Sequence, residues 1–171
     1  MEKRLVIIDG KSVFYRGYYA MPNLSTADGT PTGGVYGFAA LSLELFKKLK
    51  PDYVCVAWDK PKTNIRKRLE IWPEYKAGRK PAPADFYAQI PILHDFLKAL
   101  GWPLFECDGY EADDILGTLS EQANAQRIES CLITSDLDML QLIDKDTKVF
   151  AMKKGFSQIE SEVKNDLLEK L

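Results

Sequence analysis

The hydrophobic positions of the chain form short apolar runs that alternate with stretches of helical spacing. The apolar runs are typical of β-strands and cover residues 4–9, 53–59, 103–108, 130–136 and 148–152. Between them, apolar residues at helical spacing predict helices over 33–49, 84–100 and 110–126. Strands that are apolar along nearly their whole length and alternate with helices are typical of a parallel sheet covered on both faces. We therefore predict an α/β protein with three layers, α/β/α, around a mostly parallel central sheet.

Local signals refine the ends of these helices. Thr32 precedes the helix at 33–49 and is a candidate N-cap. Pro91 lies inside 84–100 and predicts a kink or a late helix start there. Residues 157–171 are predicted to form a charged terminal helix. Its apolar positions need a partner and are Val163, Leu167, Leu168 and Leu171.

Composition places the chain among globular proteins. Its 171 residues, 46% of them hydrophobic, suit a single domain with an ordinary core. No apolar run approaches the roughly 18–20 residues of a membrane span, and the N-terminus lacks the pattern of a signal peptide. The three cysteines, Cys55, Cys107 and Cys131, lie far apart in strand-like stretches, which predicts reduced, buried thiols. We therefore expect a cytoplasmic protein without membrane contact.

Acidic residues collect where the predicted strands end. Asp9 closes the first strand, Asp59 closes the second, and the remaining acids follow the third and fourth strands. These are Glu111, Asp113, Asp114, Asp136 and Asp138. Any one of them is equally well explained as a helix cap or turn residue. In a parallel sheet, however, all seven would converge on the carboxyl edge, where such folds place their sites.

Clustered carboxylates repel one another unless cations neutralise them. Ligand sets of oxygen alone select hard ions, so Mg²⁺ or Mn²⁺ is predicted, and the lack of accompanying histidine or cysteine argues against zinc. The edge is large enough for two ions about 3.5–4 Å apart, the arrangement that activates water and stabilises a leaving oxygen in phosphodiester hydrolysis.

A basic stretch follows Asp59 directly. Residues 60–80 carry eight Lys or Arg residues against two Glu residues, with Trp72 and Tyr75 interleaved. This pattern fits a partly helical excursion from the sheet, at about 60–82, that tracks phosphates and offers stacking surfaces. A solvated basic loop is the alternative. Arg16, among the aromatic residues of 13–21, adds a further candidate contact, and the alternative there is a set of core aromatic residues with one exposed Arg. His94 is predicted to be a partly buried core residue.

Six blocks of the sequence, in order, resemble a known family. They are "LVIIDGKSVFYRGYYAM", "GTPTGGVYGF", "VAWDKPKTNIRKRL", "PEYKAGRKPAP", "GYEADDILGTL" and "TSDLDMLQLI". They resemble the N-terminal part of the 5′→3′ exonuclease domain of bacterial DNA polymerase I, within the 5′-nuclease, or flap endonuclease, family of PIN-like and resolvase-like folds. The resemblance implies a DNA substrate with a 5′ flap or 5′ end, as in Okazaki-fragment and repair processing.

The resemblance also assigns roles to residues. It implies that the metal ligands are the seven acids named above and that residues 60–80 form a helical arch over the 5′ strand. Its implied substrate contacts are Arg16, Arg66, Tyr75, Lys76 and Arg79. The basic stretch adds Lys62, Lys67 and Lys80 as predicted DNA contacts. Lys76 and Arg79 are expected to steady the scissile phosphate and its developing charge.

The chain departs from the family pattern in three places. Ser135 and Leu137 replace a Gly and a Lys, and Lys11 stands where a small polar residue is commoner. The family's helix-hairpin-helix element and two further metal-binding Asp residues are expected to be absent from residues 1–171. The second ion site would then be incomplete and the activity weak, unless a companion polypeptide or a C-terminal region supplies the rest.

Two other functions remain open at this stage. The chain is alternatively a nucleic-acid-binding fragment that does not cut, which the missing Asp pair favours. It is alternatively a PIN-type ribonuclease, which its short length favours, although the long basic stretch and the E-A-D-D block favour a DNA nuclease.

Overall fold

The secondary structure follows the alternation that the sequence predicts. A computed structural model describes residues 3–152 and the backbone of 159–162. The elements are β1 (Lys3–Asp9), α1 (Gly10–Ala20), α2 (Gly33–Leu49), β2 (Tyr53–Ala57), α3 (Arg66–Ile71), α4 (Ala84–Ala88), α5 (Ile90–Ala99), β3 (Leu104–Phe105), α6 (Ala112–Ala125), β4 (Ile128–Thr134), a 3₁₀ helix (Leu137–Leu142), β5 (Thr147–Met152) and β6 (Ile159–Glu162).

The sheet has the order β3-β2-β1-β4-β5-β6. The first five strands in this order are mutually parallel, with Ile7 of β1 in register with Cys55 of β2 and Leu132 of β4. Only β6 runs antiparallel to its neighbour among the strands of the described part of the chain. Because β1, β2 and β4 are parallel neighbours, their carboxyl ends meet at one edge, as predicted.

Helices cover both faces of the sheet. Alternate residues of β1 point to opposite faces, so Val6 and Ile8 belong to one core and Ile7 to the other. The first core lies under α1, α2, α4 and α5, and the second lies under α6 and the 3₁₀ helix. The predicted three-layer α/β/α fold is thus confirmed. No helix in residues 3–152 and 159–162 is long and apolar enough to cross a membrane.

Helix α1 is absent from the predicted elements, although its capping signal is present. The Asp9 side chain accepts a hydrogen bond from the Ser12 backbone N–H (3.1 Å), so the residue that ends β1 also caps α1. The predicted helix over 84–100 is two helices that meet at Gln89, with Pro91 in the first turn of α5. The late helix start is therefore confirmed. Thr32 occupies the N-cap position of α2 but makes no side-chain capping bond.

Three other predictions need correction or fall partly outside the structure. The third strand is only two residues long, because the polar residues after Phe105 leave the sheet, and Cys107 in that stretch is exposed rather than buried. Within the predicted terminal helix, Ile159–Glu162 is instead a strand that pairs with β5. The apolar positions Val163 to Leu171 lie outside the described residues.

Helices α1 and α2 pack at a distance that only glycine permits. A Cβ atom on Gly17 would lie 2.9 Å from the Gly34 carbonyl oxygen and 3.0 Å from the Gly37 Cα. Both contacts are with backbone, which cannot move aside as a flexible side chain can.

Gly17→Ala should therefore destabilise the protein by about 1–3 kcal/mol, because overpacking outweighs a gain of about 1 kcal/mol in helix propensity. Urea unfolding measures the change. Gly78→Ala is the matched control, since a Cβ there meets nothing within 4 Å and the effect should stay within about 0.5 kcal/mol. Equal unfolding midpoints for the two variants would contradict the close packing.

Candidate active site

A cleft at the carboxyl edge of the sheet gathers most of the acids that the sequence predicts. Its acidic lining consists of Asp9, Asp59, Glu111, Asp113 and Asp136. Asp9 comes from the end of β1, Asp59 follows β2, and Asp136 follows β4. The strand ends thus deliver these side chains to one place, which is what the parallel topology dictates.

Hydrogen bonds fix the carboxylates at the floor of the cleft. Asp9 is 6% exposed, and its Oδ2 accepts a hydrogen bond from the Thr134 hydroxyl (2.7 Å). Asp59 Oδ1 accepts from the backbone N–H of Ala112 (2.9 Å), the first residue of α6, while its Oδ2 lies 3.4 Å from Lys11 Nζ. These bonds connect β1 with β4, and the segment after β2 with α6, through the acids themselves.

Glu111 is buried at the N-terminus of α6 and is surrounded by donors from the basic stretch. It is 2% exposed. Lys76 forms an ion pair with its Oε1, the Tyr75 hydroxyl donates to its Oε2 (2.8 Å), and Arg68 Nε lies 3.1 Å from the same oxygen. A buried carboxylate needs such partners, because burying an unpaired charge is costly.

The cleft holds more negative charge than its protein partners neutralise. Burial raises the pKa of Asp9 to about 6, against hydrogen bonds from Thr134 and Ser12 that lower it, and the charges of Asp59 and Asp136 raise it further. Burial also raises the pKa of Asp113 to about 7, and the neighbouring charges of Asp9, Asp136, Glu111 and Asp59 contribute. Burial is the main cause of both shifts, and repulsion among the five acids adds to it.

Two predicted acids lie outside this cleft. Asp114 and Asp138 line a neighbouring groove along α6, which Asp113 also reaches. The Asp114 carboxylate is bound by Arg68, whose Nη1 is 2.6 Å from Oδ2 and whose Nη2 is 3.2 Å from Oδ1. Asp138 is exposed on the 3₁₀ helix, where its backbone N–H donates to Asp136 Oδ1 (2.9 Å).

The carboxylate oxygens of the cleft are the type of ligand that hard divalent cations prefer. Carboxylate oxygens crowd together there, and burial, with repulsion among the acids adding to it, raises the pKa of Asp9 and Asp113, an effect that such a cation would offset. Within residues 3–152, however, no three acidic, cysteine or histidine side chains are arranged as a ligand set. Glu111 is bonded to Lys76, Tyr75 and Arg68, so its oxygens are directed toward the basic stretch.

Four of the predicted DNA contacts line the same cleft: Arg16, Lys76, Arg79 and Lys80. Arg16 is anchored from α1 by a hydrogen bond from its Nη1 to the Met152 carbonyl (3.0 Å). Lys76 has a φ of 57°, a left-handed conformation that costs a non-glycine residue about 1–2 kcal/mol. This backbone turn accompanies the ion pair that Lys76 makes with buried Glu111.

The other predicted DNA contacts lie elsewhere. Tyr75 faces the groove along α6 and bonds Glu111. Arg66 and Lys67 pack over Gly109, and Lys67 Nζ lies 5.2 Å from the centre of the Tyr110 ring. Lys62 is exposed on a turn with a φ of 69°. The stretch over 60–80 contains α3 and turns, so the predicted partly helical excursion is confirmed.

Sequence reasoning missed several residues of the site. Arg68 reaches two of the acids, yet composition alone cannot separate it from its basic neighbours. Three tyrosines also line the cleft, namely Tyr15, Tyr19 and Tyr87, whereas Phe14 and Tyr18 are buried. The spacing of Tyr15 and Tyr19, one helical turn apart, could have indicated that these two share a helix face. His94 packs edge-on against Trp58 in the core, as predicted (5.8 Å between ring centres).

The fold and the cleft together define an α/β domain of the kind that carries a carboxylate site at the ends of its parallel strands. The sequence matches the family described as 5′-3′ exonuclease, N-terminal resolvase-like domain, over residues 4–169. The chain therefore belongs to this 5′-3′ exonuclease family.

Individual relatives agree with this assignment. The chain is 41% identical over 155 residues to DNA polymerase I of Caldicellulosiruptor bescii, which covers 91% of this chain and 18% of that protein. It is 40% identical over 147 residues to a 5′-3′ exonuclease of Aquifex aeolicus, which covers 86% of this chain and 50% of that protein. The chain thus spans half or less of the length of these relatives.

Solved structures support the fold. The T5 D15 protein, co-crystallised with metal ions, has a TM-score of 0.74 at 23% identity, covering 98% of this chain and 60% of that chain. A second structure is described as the T5 D15 flap endonuclease in a pseudo-enzyme–product complex with DNA and metal ions; it has a TM-score of 0.65 at 22% identity and the same coverage.

The metal-free protein should lose stability as pH rises from about 4 to about 7. The folded-state pKa values of Asp9 and Asp113, about 6 and about 7, exceed the ordinary 3.8, so the folded chain retains protons that the unfolded chain has released. Their contribution is complete below the unfolded pKa and is lost as pH rises through the folded values. Urea unfolding in EDTA at stepped pH measures this decline.

Asp113→Asn should remove on the order of 1–2 kcal/mol of the decline, since solvent screens a partly exposed carboxylate. Asp108→Asn is the control, because the pKa of Asp108 is lowered by hydrogen bonds from Lys60 and Thr63. Parallel pH curves for the wild type and Asp113→Asn would show that the acids do not interact as described.

Proposed function

We propose that the chain is the catalytic core of a divalent-metal-dependent 5′ nuclease that hydrolyses DNA phosphodiesters, as a 5′→3′ exonuclease or 5′-flap endonuclease. The observation that carries the proposal is the cleft itself, where five carboxylates lie beside Arg16, Lys76, Arg79 and Lys80. Such a site combines donors for hard cations with groups that bind phosphates. Membership of the 5′-3′ exonuclease family supports it.

Each group in the cleft has a role in this proposal. Asp9, Asp59, Asp113 and Asp136 would hold Mg²⁺ or Mn²⁺, which supplies an activated water and stabilises the leaving oxygen. Two ions are proposed. Arg79 and Lys76 hold the scissile phosphate, and Arg16 and Lys80 hold the strand on either side. Tyr15 and Tyr19 offer rings on which bases stack.

We propose further that residues 1–171 act as one domain. A cytoplasmic location remains a prediction.

A flap-cleavage assay tests the proposal. The chain should cut 5′-flap DNA in Mn²⁺, more slowly in Mg²⁺, and not in EDTA, with Asp113→Asn as the inactive control of preserved fold. The same substrate with an RNA flap separates a PIN-type ribonuclease, which would prefer RNA. Absence of DNA cleavage at any Mn²⁺ concentration, with DNA binding intact, would overturn the enzyme assignment.

A binding fragment without catalysis is the second candidate, and one observation favours it. Glu111 is engaged by Lys76, Tyr75 and Arg68 rather than directed at the other acids. If metal cannot compete with these partners, the chain binds DNA without cutting it.

Millimolar Mg²⁺ or Mn²⁺ should raise the melting temperature of the wild type, because an ion that binds only the folded state stabilises it, by about 2.7 kcal/mol at a hundredfold excess over Kd. Asp113→Asn should reduce this rise, and Asp108→Asn should retain it. Differential scanning calorimetry provides the measurement. A melting temperature indifferent to both ions would contradict the metal site.

Arg79→Ala with Lys80→Ala should weaken binding to DNA with a single-stranded 5′ end. Each cation removed from a phosphate should flatten the log–log salt slope by about 0.7–0.9, so the double variant should flatten it by about 1.4–1.8, which fluorescence anisotropy at several salt concentrations measures. Both residues are exposed, so stability should change by less than about 0.5 kcal/mol.

Lys98→Ala with Lys145→Ala is the matched control for this pair. It removes the same charge from exposed positions that precede β3 and β5, at the opposite edge of the sheet. If the control flattens the slope as much as Arg79→Ala with Lys80→Ala, the effect is one of net charge, and the cleft does not bind phosphates.

A further inference from the structure

We propose that Arg68 and Asp114 form a clamp that fixes the basic stretch on α6, and that Asp114 is a positioning residue rather than a metal ligand. The proposal rests on the proposed function and deepens it. It concerns how Tyr75 and Lys76 are held against Glu111 beside the cleft.

The pairing of Arg68 and Asp114 occupies both carboxylate oxygens. Oδ2 accepts from Arg68 Nη1 (2.6 Å) and from the backbone N–H of Glu111 (2.9 Å), and Oδ1 accepts from Arg68 Nη2 (3.2 Å). A carboxylate bound in two places by one guanidinium is fixed in direction as well as in charge. It lines the groove along α6 and does not line the cleft that the five acids share.

Arg68 also connects the clamp with the functional side chains of the basic stretch. Its Nε lies 3.1 Å from Glu111 Oε2, the oxygen to which the Tyr75 hydroxyl donates. Its guanidinium lies 5.8 Å from the centre of the Tyr75 ring, within the range of a cation–π contact. Lys76, the next residue, pairs with the other oxygen of Glu111. Arg68 therefore helps to fix the position of the turn at Tyr75 and Lys76 relative to Glu111.

The start of the basic stretch is attached to the same loop before α6. Lys60 Nζ lies 2.9 Å from Asp108 Oδ1, and the Thr63 hydroxyl donates to that oxygen (2.8 Å). The Gly109 backbone N–H donates to the Thr63 carbonyl (3.0 Å). These contacts anchor the beginning of the stretch. Without Arg68 and Asp114, the anchoring of its second half would be left to Glu111.

The first test is a double-mutant cycle with Arg68→Ala, Asp114→Ala and the pair, reading affinity for DNA with a single-stranded 5′ end in EDTA. Each single variant should weaken binding about tenfold, and the pair should weaken it about tenfold rather than about a hundredfold, since both changes break one clamp. If the affinity losses of the two single variants multiply in the pair, or if Asp114→Ala binds DNA as well as the wild type, the proposal is overturned.

The second test separates positioning from metal binding. In a calorimetric Mn²⁺ titration, Asp113→Ala should weaken the metal Kd by more than about tenfold, while Asp114→Ala should change it by less than about twofold. If Asp114→Ala weakens Mn²⁺ binding as much as Asp113→Ala does, Asp114 is a metal ligand and the proposal is wrong.

The third test reads the position of the stretch directly. Trypsin should cleave within residues 60–80 several times faster in Arg68→Ala/Asp114→Ala than in the wild type under native conditions. Glu129→Gln is the matched control, because it weakens an ion-pair cluster with Arg4 and Lys148 at the opposite edge of the sheet. Equal cleavage of the two variants, after matching their melting temperatures, would overturn the clamp.

The outcomes for the clamp and for the proposed function are distinguishable. If the wild type neither binds Mn²⁺ nor cuts DNA, the nuclease assignment fails, and the trypsin and DNA-binding readouts still decide the clamp. If the wild type cuts DNA but the affinity losses of Arg68→Ala and Asp114→Ala multiply, the nuclease assignment holds and the clamp is wrong.

Discussion

Five carboxylates share the carboxyl edge of the sheet, and their mutual repulsion has to be offset for the chain to fold around them. The parallel register of β1, β2 and β4 delivers three of them there, and the N-terminus of α6 adds the other two. Hydrogen-bond donors and cations stabilise the carboxylates in part. Asp9 accepts from a hydroxyl and a backbone N–H, Asp59 accepts from a backbone N–H of α6, and Glu111 is bound by three side chains. Burial, with a smaller contribution from the neighbouring charges, still raises the pKa values of Asp9 and Asp113.

The basic stretch is therefore part of the fold as well as part of the site. Eight cations in a loop of 21 residues would ordinarily repel one another and remain in solvent. Here Arg68 and Lys76 turn inward to the acids at the start of α6, while Arg79 and Lys80 stay exposed along the cleft. One segment thus supplies the counter-charge for the acids at the start of α6 and leaves two exposed cations along the cleft.

The sequence predicts the layers, the parallel sheet and the convergence of five acids, because each depends on alternation and on where strands end. It does not distinguish Arg68 from Arg66, since that choice depends on the helical phase of α3, which six residues define weakly. It wrongly groups Asp114 and Asp138 with the other five acids, because closeness in sequence does not say on which side of an element a side chain lies. Helix α1 escapes prediction because its aromatic and glycine residues favour no helix, although Asp9 and Ser12 provide the cap.

Asp9 is a poor position at which to remove an acid from the cleft while keeping the protein folded. Its carboxylate satisfies the Ser12 N–H and the hydroxyl of fully buried Thr134. Alanine at this position would leave donors without an acceptor and α1 without its cap, each at a cost of about 1 kcal/mol or more. Loss of activity in such a variant would report unfolding as readily as chemistry. Asp113→Asn is the better substitution, since no helix cap among the described residues depends on the Asp113 side chain.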